Sequence, residues 1–246
     1  MIHLSFFIRQ LTSPKTRIFI NHKWWHHFQV AGFFSFIEKE ADKSPLQFCT
    51  FSLVNRKSCS CKFNAQIKIN NIIFPNQIPV GETCFRREAG SWGAHVRGLN
   101  RLHQFDKVEI VRIAHPDHSY ESLEEMVNHV ENLVSKLELP YRILKLCGGD
   151  MSFTSALTYD FEVWSAAQKR WLEVSSVSNF ESFQANRLKC RFKEKGEKQT
   201  RLAHTLNGSA LALPRIVAAL LENNQTESGI KIPKALIPYT GFDIIN

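Results

Sequence analysis

The order of strand-length and helix-length runs after residue 75 constrains this chain more than any other feature of its sequence. Lys107-Val-Glu-Ile-Val-Arg-Ile113 alternates in the manner of a half-buried strand. Leu123, Met126, Val127, Val130, Leu133, Val134 and Leu137 recur at helical spacing, and Glu121 and Glu124 fall in the first turn, where the helix dipole favours anions. Pro140 is expected to end that helix. Tyr141 to Cys147 reads as a strand running into the turn Gly148-Gly149-Asp150. Pro214 to Asn223 reads as a helix with proline in its first turn and with Ile216, Val217, Leu220 and Leu221 inward. Strands with a few helices and no βαβ alternation predict an α+β fold, an antiparallel sheet flanked by helices.

Two strands carry more than fold information. In Thr158 to Trp164, Tyr159, Phe161 and Val163 face one way, and Asp160 and Glu162 face the other. In Trp171 to Ser176, alternation puts Trp171, Glu173 and Ser175 on one face. The short polar link Ser165 to Arg170 predicts an antiparallel hairpin, which gathers Asp160, Glu162 and Glu173 on one open surface. Carboxylates lined up in this way repel each other unless a cation or a donor-rich ligand meets them.

Charge separates the chain into two regions. The net charge is +8, but residues 1–74 hold 10 Lys/Arg against 3 Asp/Glu, and residues 75–246 hold 21 against 20. The first region also carries 11 of the 19 Phe and only one Gly, Gly32. Residues 1–74 are therefore an unassigned basic, Phe-rich segment, with short strand-like runs at Arg17 to Ile20, Phe48 to Val54 and Ile67 to Phe74. Residues 75–246 form the globular unit. A basic field confined to one end argues against a basic binding face on the main unit. No apolar run reaches the roughly 20 residues of a membrane span, and no signal-peptide pattern opens the chain. Six scattered cysteines suit reduced thiols in a cytosol. His22, His26 and His27 include a helix-compatible i, i+4 pair that could bind metal but have no carboxylate or Cys nearby, and Cys59-Ser-Cys61 lacks the two-residue gap and second pair of a zinc site. Cys84, Cys147 and Cys190 read as packing residues.

The glycines of Gly93-Ala-His-Val-Arg-Gly98 have phosphate-loop spacing, but Leu99-Asn100 follow where Lys-Ser/Thr is needed, so a bound nucleotide must be held by side chains. Residues 84–109 offer such side chains. Cys-Phe-Arg-Arg-Glu-Ala-Gly, a glycine-punctuated loop, and Arg97-Gly-Leu-Asn-Arg-Leu-His-Gln-Phe-Asp-Lys-Val-Glu109 predict a hairpin whose face carries arginines, an aromatic ring and carboxylates. By residue type alone a solvated hairpin is the readier reading.

The spelling of this hairpin resembles motif 2 of the class II aminoacyl-tRNA synthetases, and within them of the seryl-tRNA synthetases. Gly149-Asp150, Thr158 to Trp164 and Glu173-Val-Ser-Ser-Val-Ser-Asn-Phe180 resemble the blocks that follow it. Thr205-Leu-Asn-Gly-Ser-Ala-Leu-Ala-Leu-Pro-Arg215, then Leu221-Glu-Asn and Ile232-Pro, resemble motif 3. The resemblance spans residues 75–246 and implies a partial class II catalytic core acting as a serine–tRNA ligase, with ATP, Mg²⁺, serine and tRNA(Ser) as its reactants and cofactor. It implies Arg86 on the α-phosphate, with Arg87 beside it, and Glu88 toward the adenine. Arg101 belongs to the outer phosphates, Arg215 to the γ-phosphate, and Phe105 to the adenine as a stacking ring. Glu173, Val174, Ser175 and Ser176 would complete the nucleotide site, with Glu173 and Ser176 reaching Mg²⁺ through ATP. Glu109, Asn207 and Ser209 match positions that hold serine. The implied protein is a cytoplasmic homodimer with no membrane association.

Departures from the family pattern qualify these expectations. The N-terminal tRNA-binding arm, motif 1 with its dimer helix, and a Thr-Ala-Glu segment for the amino group of serine are not recognisable, and Ser152 stands where glycine is usual. The chain is thus expected to retain affinity for ATP and to form seryl-adenylate poorly. Two alternatives stand beside this reading. One is an amino acid:carrier protein ligase, whose zinc-binding substitutions are not seen at Glu109, Asn207 or Ser209. The other is a non-catalytic remnant or an RNA- or partner-binding module.

Overall fold

A computed structural model of the chain describes residues 76–88, 98–194 and 196–246. The expectations for residues 1–74, including the strand-like runs, His22, His26, His27, Cys59 and Cys61, and for the loop from Gly93 to Arg97, lie outside the described residues.

Six strands form one antiparallel sheet. They are β1 (Asn76–Phe85), β2 (Gln104–Ala114), β3 (Tyr141–Lys145), β4 (Leu157–Ser165), β5 (Arg170–Asn179) and, after the short pair β6 (Arg191–Phe192) and β7 (Arg201–Leu202), β8 (His204–Ala212). Their spatial order is β1-β2-β8-β5-β4-β3, so β8, the last of the six in sequence, lies in the middle and joins two hairpins. The first hairpin, β1–β2, pairs Cys84 with Phe105 and Phe85 with Gln104. The second, β4–β5, closes at Ser165 opposite Arg170, as its short polar link predicts.

One sheet face is apolar. Val108, Ile110 and Ala114 of β2, Phe161 and Val163 of β4, and Val177 and Leu206 are buried there. Helix α1 (Ser119–Lys136) covers them with Leu123, Met126, Val130, Leu133 and Val134, and helix α3 (Leu213–Asn223) with Ile216, Ala219 and Leu220. A third helix, α2 (Ser182–Leu188), follows β5 and packs Ala185 into a small separate cluster with Cys190, Phe192 and Ala203. Packing of amphipathic helices on one face leaves the opposite face of the sheet open for a site.

Three local expectations need correction. Pro140 does not end α1. The helix stops at Lys136, Leu137 caps it, and Glu138 turns left-handed at φ 56°, so the chain has already left the helix before the proline. Cys147 is not a packing residue: it is exposed and its thiol donates to Asp150 Oδ2 at 3.2 Å, whereas Cys190 is buried. Glu173 and Ser175 do not share a face. Glu162 pairs with Glu173, but Phe161 pairs with Ser175, and Val174 has no opposite number. This bulge inverts the alternation. Ser175 turns to the buried side and donates to the Ser209 carbonyl, and Ser176 takes the open side opposite Asp160.

Close approach of β5 and β8 depends on one glycine. A Cβ on Gly208 would stand 2.8 Å from Val177 Cγ2 and 3.0 Å from Val177 Cα. A side-chain rotation could relieve the first contact, but the second is backbone. Gly208→Ala is therefore expected to destabilise the fold by about 1–3 kcal/mol, as overpacking does. Urea denaturation of the two proteins checks this, and an unchanged midpoint would mean that the strands part freely at this point.

Candidate active site

The open face is built in rows across the sheet. On β2, Phe105, Lys107, Glu109 and Val111 alternate with the buried Val108, Ile110 and Arg112. Register then carries the row outward: Glu109 pairs with Ser209, Val111 with Asn207, and Asn207 with Ser178. Asp160 pairs with Ser176, and Glu162 with Glu173. The Val174 bulge lets Glu173 and Ser176 face the same way although they are three residues apart.

Cations converge at one end of this face. Arg86 follows β1; its backbone N–H donates to the His103 carbonyl at 2.8 Å, which holds the hairpin closed beyond the paired strands. Its guanidinium carbon lies 5.2 Å from the centre of the Phe105 ring. Arg101 forms a short ion pair with Glu88 through Nε. Arg215 comes from the first turn of α3, where Pro214 pre-sets the helical backbone. Its Nε donates to the Asn100 carbonyl at 3.1 Å and its Nη1 to the Glu173 carbonyl, so the segment joining β1 to β2, the acidic strand and α3 are tied at one side chain. Burial lowers the Arg215 guanidinium below its ordinary value, and the positive charges of Arg86, Arg101 and Arg170 add to this against the opposing Glu173. Arg87 is exposed.

Acids face these cations. Burial raises the Glu173 carboxyl above the usual carboxylate range, and Asp160 raises it further, while Arg215 and Arg86 act in the opposite sense. Asp160 is raised chiefly by burial, against a hydrogen bond from Ser176, and its Oδ1 is buried with no hydrogen-bond partner among the described residues. Glu162 is neutralised by Arg142 Nε at 2.6 Å, and Arg142 lies over the Trp171 ring at 4.8 Å.

A buried carboxyl oxygen without a donor beside a second raised carboxylate is a place where a hard cation would relieve both. The oxygens of Asp160, Ser176 and Glu173 suit Mg²⁺, which takes one or two carboxylates and completes its shell with water or phosphate. Among the described residues no group of three or more His, Cys, Asp or Glu is arranged to hold a metal. The donors therefore fit a metal that arrives with phosphate oxygens better than a metal caged by protein.

At the centre of the face lies a small connected polar group. Ser209 Oγ donates to Glu109 Oε2 at 3.0 Å, and Lys107 Nζ meets the same oxygen at 2.6 Å. The strand reaches this geometry through a second irregularity. Ser209 pairs with Glu109 but Ala212 pairs with Lys107, so Ala210 and Leu211 bulge, with Leu211 at φ 112°. A leucine held there is strained by about 1–3 kcal/mol, which its complete burial offsets. The bulge turns the chain from Ser209 into α3 and so brings Arg215 to the face.

The structure thus brings together Arg86, Glu88, Arg101, Phe105, Glu109, Glu173, Ser176, Asn207, Ser209 and Arg215. Val174 and Ser175 are buried, and only their backbone can reach the face. Sequence reading missed Lys107, Arg170, Asn100 and Ser178. Lys107 was visible in principle, because strand alternation puts it on the same face as Glu109. The roles of Asn100 and Arg170 depend on how α3 docks, which no local pattern encodes.

Comparison with known proteins assigns this arrangement to a family. The family model for the tRNA synthetase class II core domain (G, H, P, S and T) matches residues 55–224. The chain belongs to the class II tRNA synthetase core family. It is 64% identical over 160 residues to the serine–tRNA ligase of Salinibacter ruber, a match covering 65% of this chain and 37% of that protein. Among solved structures it is similar to seryl-tRNA synthetase from Pyrococcus horikoshii complexed with ATP, with a TM-score of 0.67 and 39% identity over 70% of this chain and 40% of that one. The cytoplasmic serine–tRNA ligase from Naegleria fowleri in complex with AMP gives a TM-score of 0.66 at 29% identity, over 70% of this chain and 41% of that one. The chain therefore spans about two fifths of the length of these relatives. Among the described residues no helix is long and apolar enough to cross a membrane.

Because Arg215 satisfies two backbone carbonyls, its removal affects the fold as well as any ligand. Arg215→Met is expected to cost about 1–3 kcal/mol of stability, because two carbonyls lose a charged donor. Arg215→Lys should recover only part of this, since one ammonium cannot fork to both. Denaturant titration of the three proteins checks the order, and equal stabilities would show that the two hydrogen bonds contribute nothing net.

Proposed function

We propose that this chain carries the ATP- and serine-binding face of a serine–tRNA ligase: it activates serine with ATP to seryl-adenylate for transfer to tRNA(Ser), in the cytoplasm. The observation that carries the reading is the convergence of Arg86, Arg215, Phe105 and Glu173, from three separate stretches of sequence, on one face of the sheet.

The chemistry follows from the arrangement. In adenylate formation the serine carboxylate attacks the α-phosphate of ATP and pyrophosphate leaves. Negative charge grows on the phosphate oxygens, which fixed guanidinium groups stabilise without reorganising. Arg86 would meet the α-phosphate and Arg215 and Arg101 the outer phosphates, with Arg87 at the rim. Phe105 would offer its ring to adenine and Glu88 would accept a hydrogen bond from the base's amino group. Each of the two would have to release an arginine: Phe105 its Arg86 cover, Glu88 its Arg101 partner. Glu173 and Ser176 would hold Mg²⁺ with the phosphates, and Val174 and Ser175 would supply backbone only. Bound Mg²⁺ would neutralise charge on the outer phosphates.

Serine would lie on the Glu109–Ser209 group with Asn207 beside it. Glu109 already accepts from Ser209 and Lys107, so a substrate hydroxyl or ammonium would join a connected polar group. Alanine would leave such groups unpaired, and a site of this kind rejects an analogue that lacks the hydroxyl. No metal-binding cysteine stands among these residues, which favours a ligase of this type over a zinc-dependent carrier-protein ligase.

Incubating the full chain with radiolabelled ATP and, in turn, serine, threonine, alanine and glycine tests the reading. An adenylate formed with serine alone supports it, and none with any of the four sinks it. Independently, Phe105→Ala should weaken ATP binding roughly tenfold to a hundredfold, the worth of stacking one base on an aromatic ring. Calorimetric titration of both proteins checks this, and equal affinities would remove Phe105 from the site.

A further inference from the structure

The corner where β8 begins is built around a half-buried histidine that the adenylation chemistry does not use. His204 pairs with Ala114 of β2, and alternation sets it on the same side as Leu206 and Gly208, against the start of α1. Its Nδ1 lies 2.8 Å from Ser119 Oγ. Ser119 is fully buried; it donates to the Pro116 carbonyl at 3.2 Å and accepts from Asn179 Nδ2 at 3.2 Å. With the hydroxyl proton used on Pro116, the neutral ring donates to Ser119 from Nδ1, which leaves Nε2 to take the next proton.

Three histidines meet at this corner, and they differ in what faces them. His115 Nε2 meets Glu194 at 3.1 Å and its Nδ1 is 3.6 Å from Asp117, while His118 Nδ1 meets Glu121 at 3.0 Å. Among the described residues, His204 alone of the three has no carboxylate at ion-pair distance. Burial lowers its imidazole below the ordinary 6.5; Glu181 and Asp117 oppose this, and the cations Arg201 and protonated His115 reinforce it.

His204 also stands between two packing units. Ala203 closes the small cluster with Ala185, Cys190 and Phe192, whereas Leu206 belongs to the main core. The small unit carries the β6–β7 hairpin, which polar contacts fix to the edge of the core. Arg201 reaches Glu194 at 3.0 Å and Asp117 at 3.4 Å, and His115 packs edge-on against Phe192 at 4.9 Å. A unit with so few buried apolar groups opens at lower free energy than the rest of the fold. The His115 hydrogen bond and Arg201 hold the Glu194 carboxyl below its ordinary range, so that contact is lost only in stronger acid.

We propose that His204 is an acid-operated latch: its uncharged ring seats the β6–β7 hairpin against the sheet, and its protonation releases that hairpin. A charged ring is poorly solvated in place and well solvated once the corner opens. The open form therefore binds the proton more tightly and grows as pH falls below the ordinary 6.5, while at higher pH both forms are neutral and the latch is fully in force. β8 continues from His204 to Asn207 and Ser209, so the latch secures one end of the strand that supplies the open face. Its action does not depend on what that face binds.

Hydrogen exchange of the full chain, read residue by residue by NMR and corrected for the intrinsic effect of pH, tests this. The reporters are the Cys190 and Ala203 amides, whose hydrogen bonds to the Ala185 and Cys190 carbonyls close the small unit. Their opening should change little between about pH 8 and 7 and rise severalfold between about pH 6.5 and 5.5, with about tenfold per pH unit as the ceiling for one proton. Amides within α1 should not follow. His204→Asn, which keeps a polar group near Ser119, should lose the rise, and His118→Asn should keep it. Imidazole NMR of the unsubstituted chain, which needs no folded variant, should show His204 titrating below 6.5. No rise in the unsubstituted chain, a rise that survives in His204→Asn, or a His204 ring that titrates at or above 6.5 overturns the proposal.

Discussion

β8 can lie between β2 and β5 because residue 208 has no side chain. With Val177 Cα 3.0 Å from where a Cβ would stand, any larger residue would push β5 away. Separation of those two strands would detach the acidic hairpin from the arginine-bearing hairpin, since among the described residues β8 is the only strand that pairs with both. The residues on either side, Asn207 and Ser209, face the open surface, while position 208 faces the core. One strand therefore both closes the sheet and supplies polar groups to the site. Polar function and backbone packing alternate along it with the period of the pleat.

Two irregularities turn that regular sheet into a site. The extra residue Val174 moves Ser176 to the open face and sends Ser175 inward, where its hydroxyl is satisfied by the Ser209 carbonyl. The bulge at Ala210 and Leu211 spends backbone strain to redirect the chain, and α3 then delivers Arg215 against Glu173 and Asn100. Mutually repelling acids and a partly desolvated arginine remain on the same surface. Charges held in this way are poorly solvated by the protein alone, and a bound nucleotide with its metal would satisfy both signs at once.

Much of this was legible in residue patterns. The β4–β5 hairpin, α1, the proline-led start of α3 and the antiparallel architecture all follow from alternation, helical spacing and turn chemistry. The acidic row was legible as Asp160, Glu162 and Glu173. Ser175 was misplaced because strict alternation has no way to announce a bulge, and Val174 looks like any strand valine. Pro140 looks like the end of α1 because a proline is an obvious stop, whereas Leu137 and the left-handed Glu138 that end the helix leave no such mark in the sequence. The meeting of Arg86, Arg215 and Glu173 followed from family resemblance alone. Contacts between residues more than forty positions apart are set by how α3 docks on the sheet, and nothing in the local spelling of Pro214-Arg215 records it.

On the proposed reading, three distant stretches of this chain make one nucleotide-binding face. A crystal structure of the full chain grown with a non-hydrolysable ATP analogue tests it most directly. The expected density places adenine on the Phe105 ring, the α-phosphate at Arg86 and the terminal phosphate at Arg215, with a metal between the phosphates and Glu173. A nucleotide bound elsewhere, or one whose phosphates reach neither Arg86 nor Arg215, would contradict it.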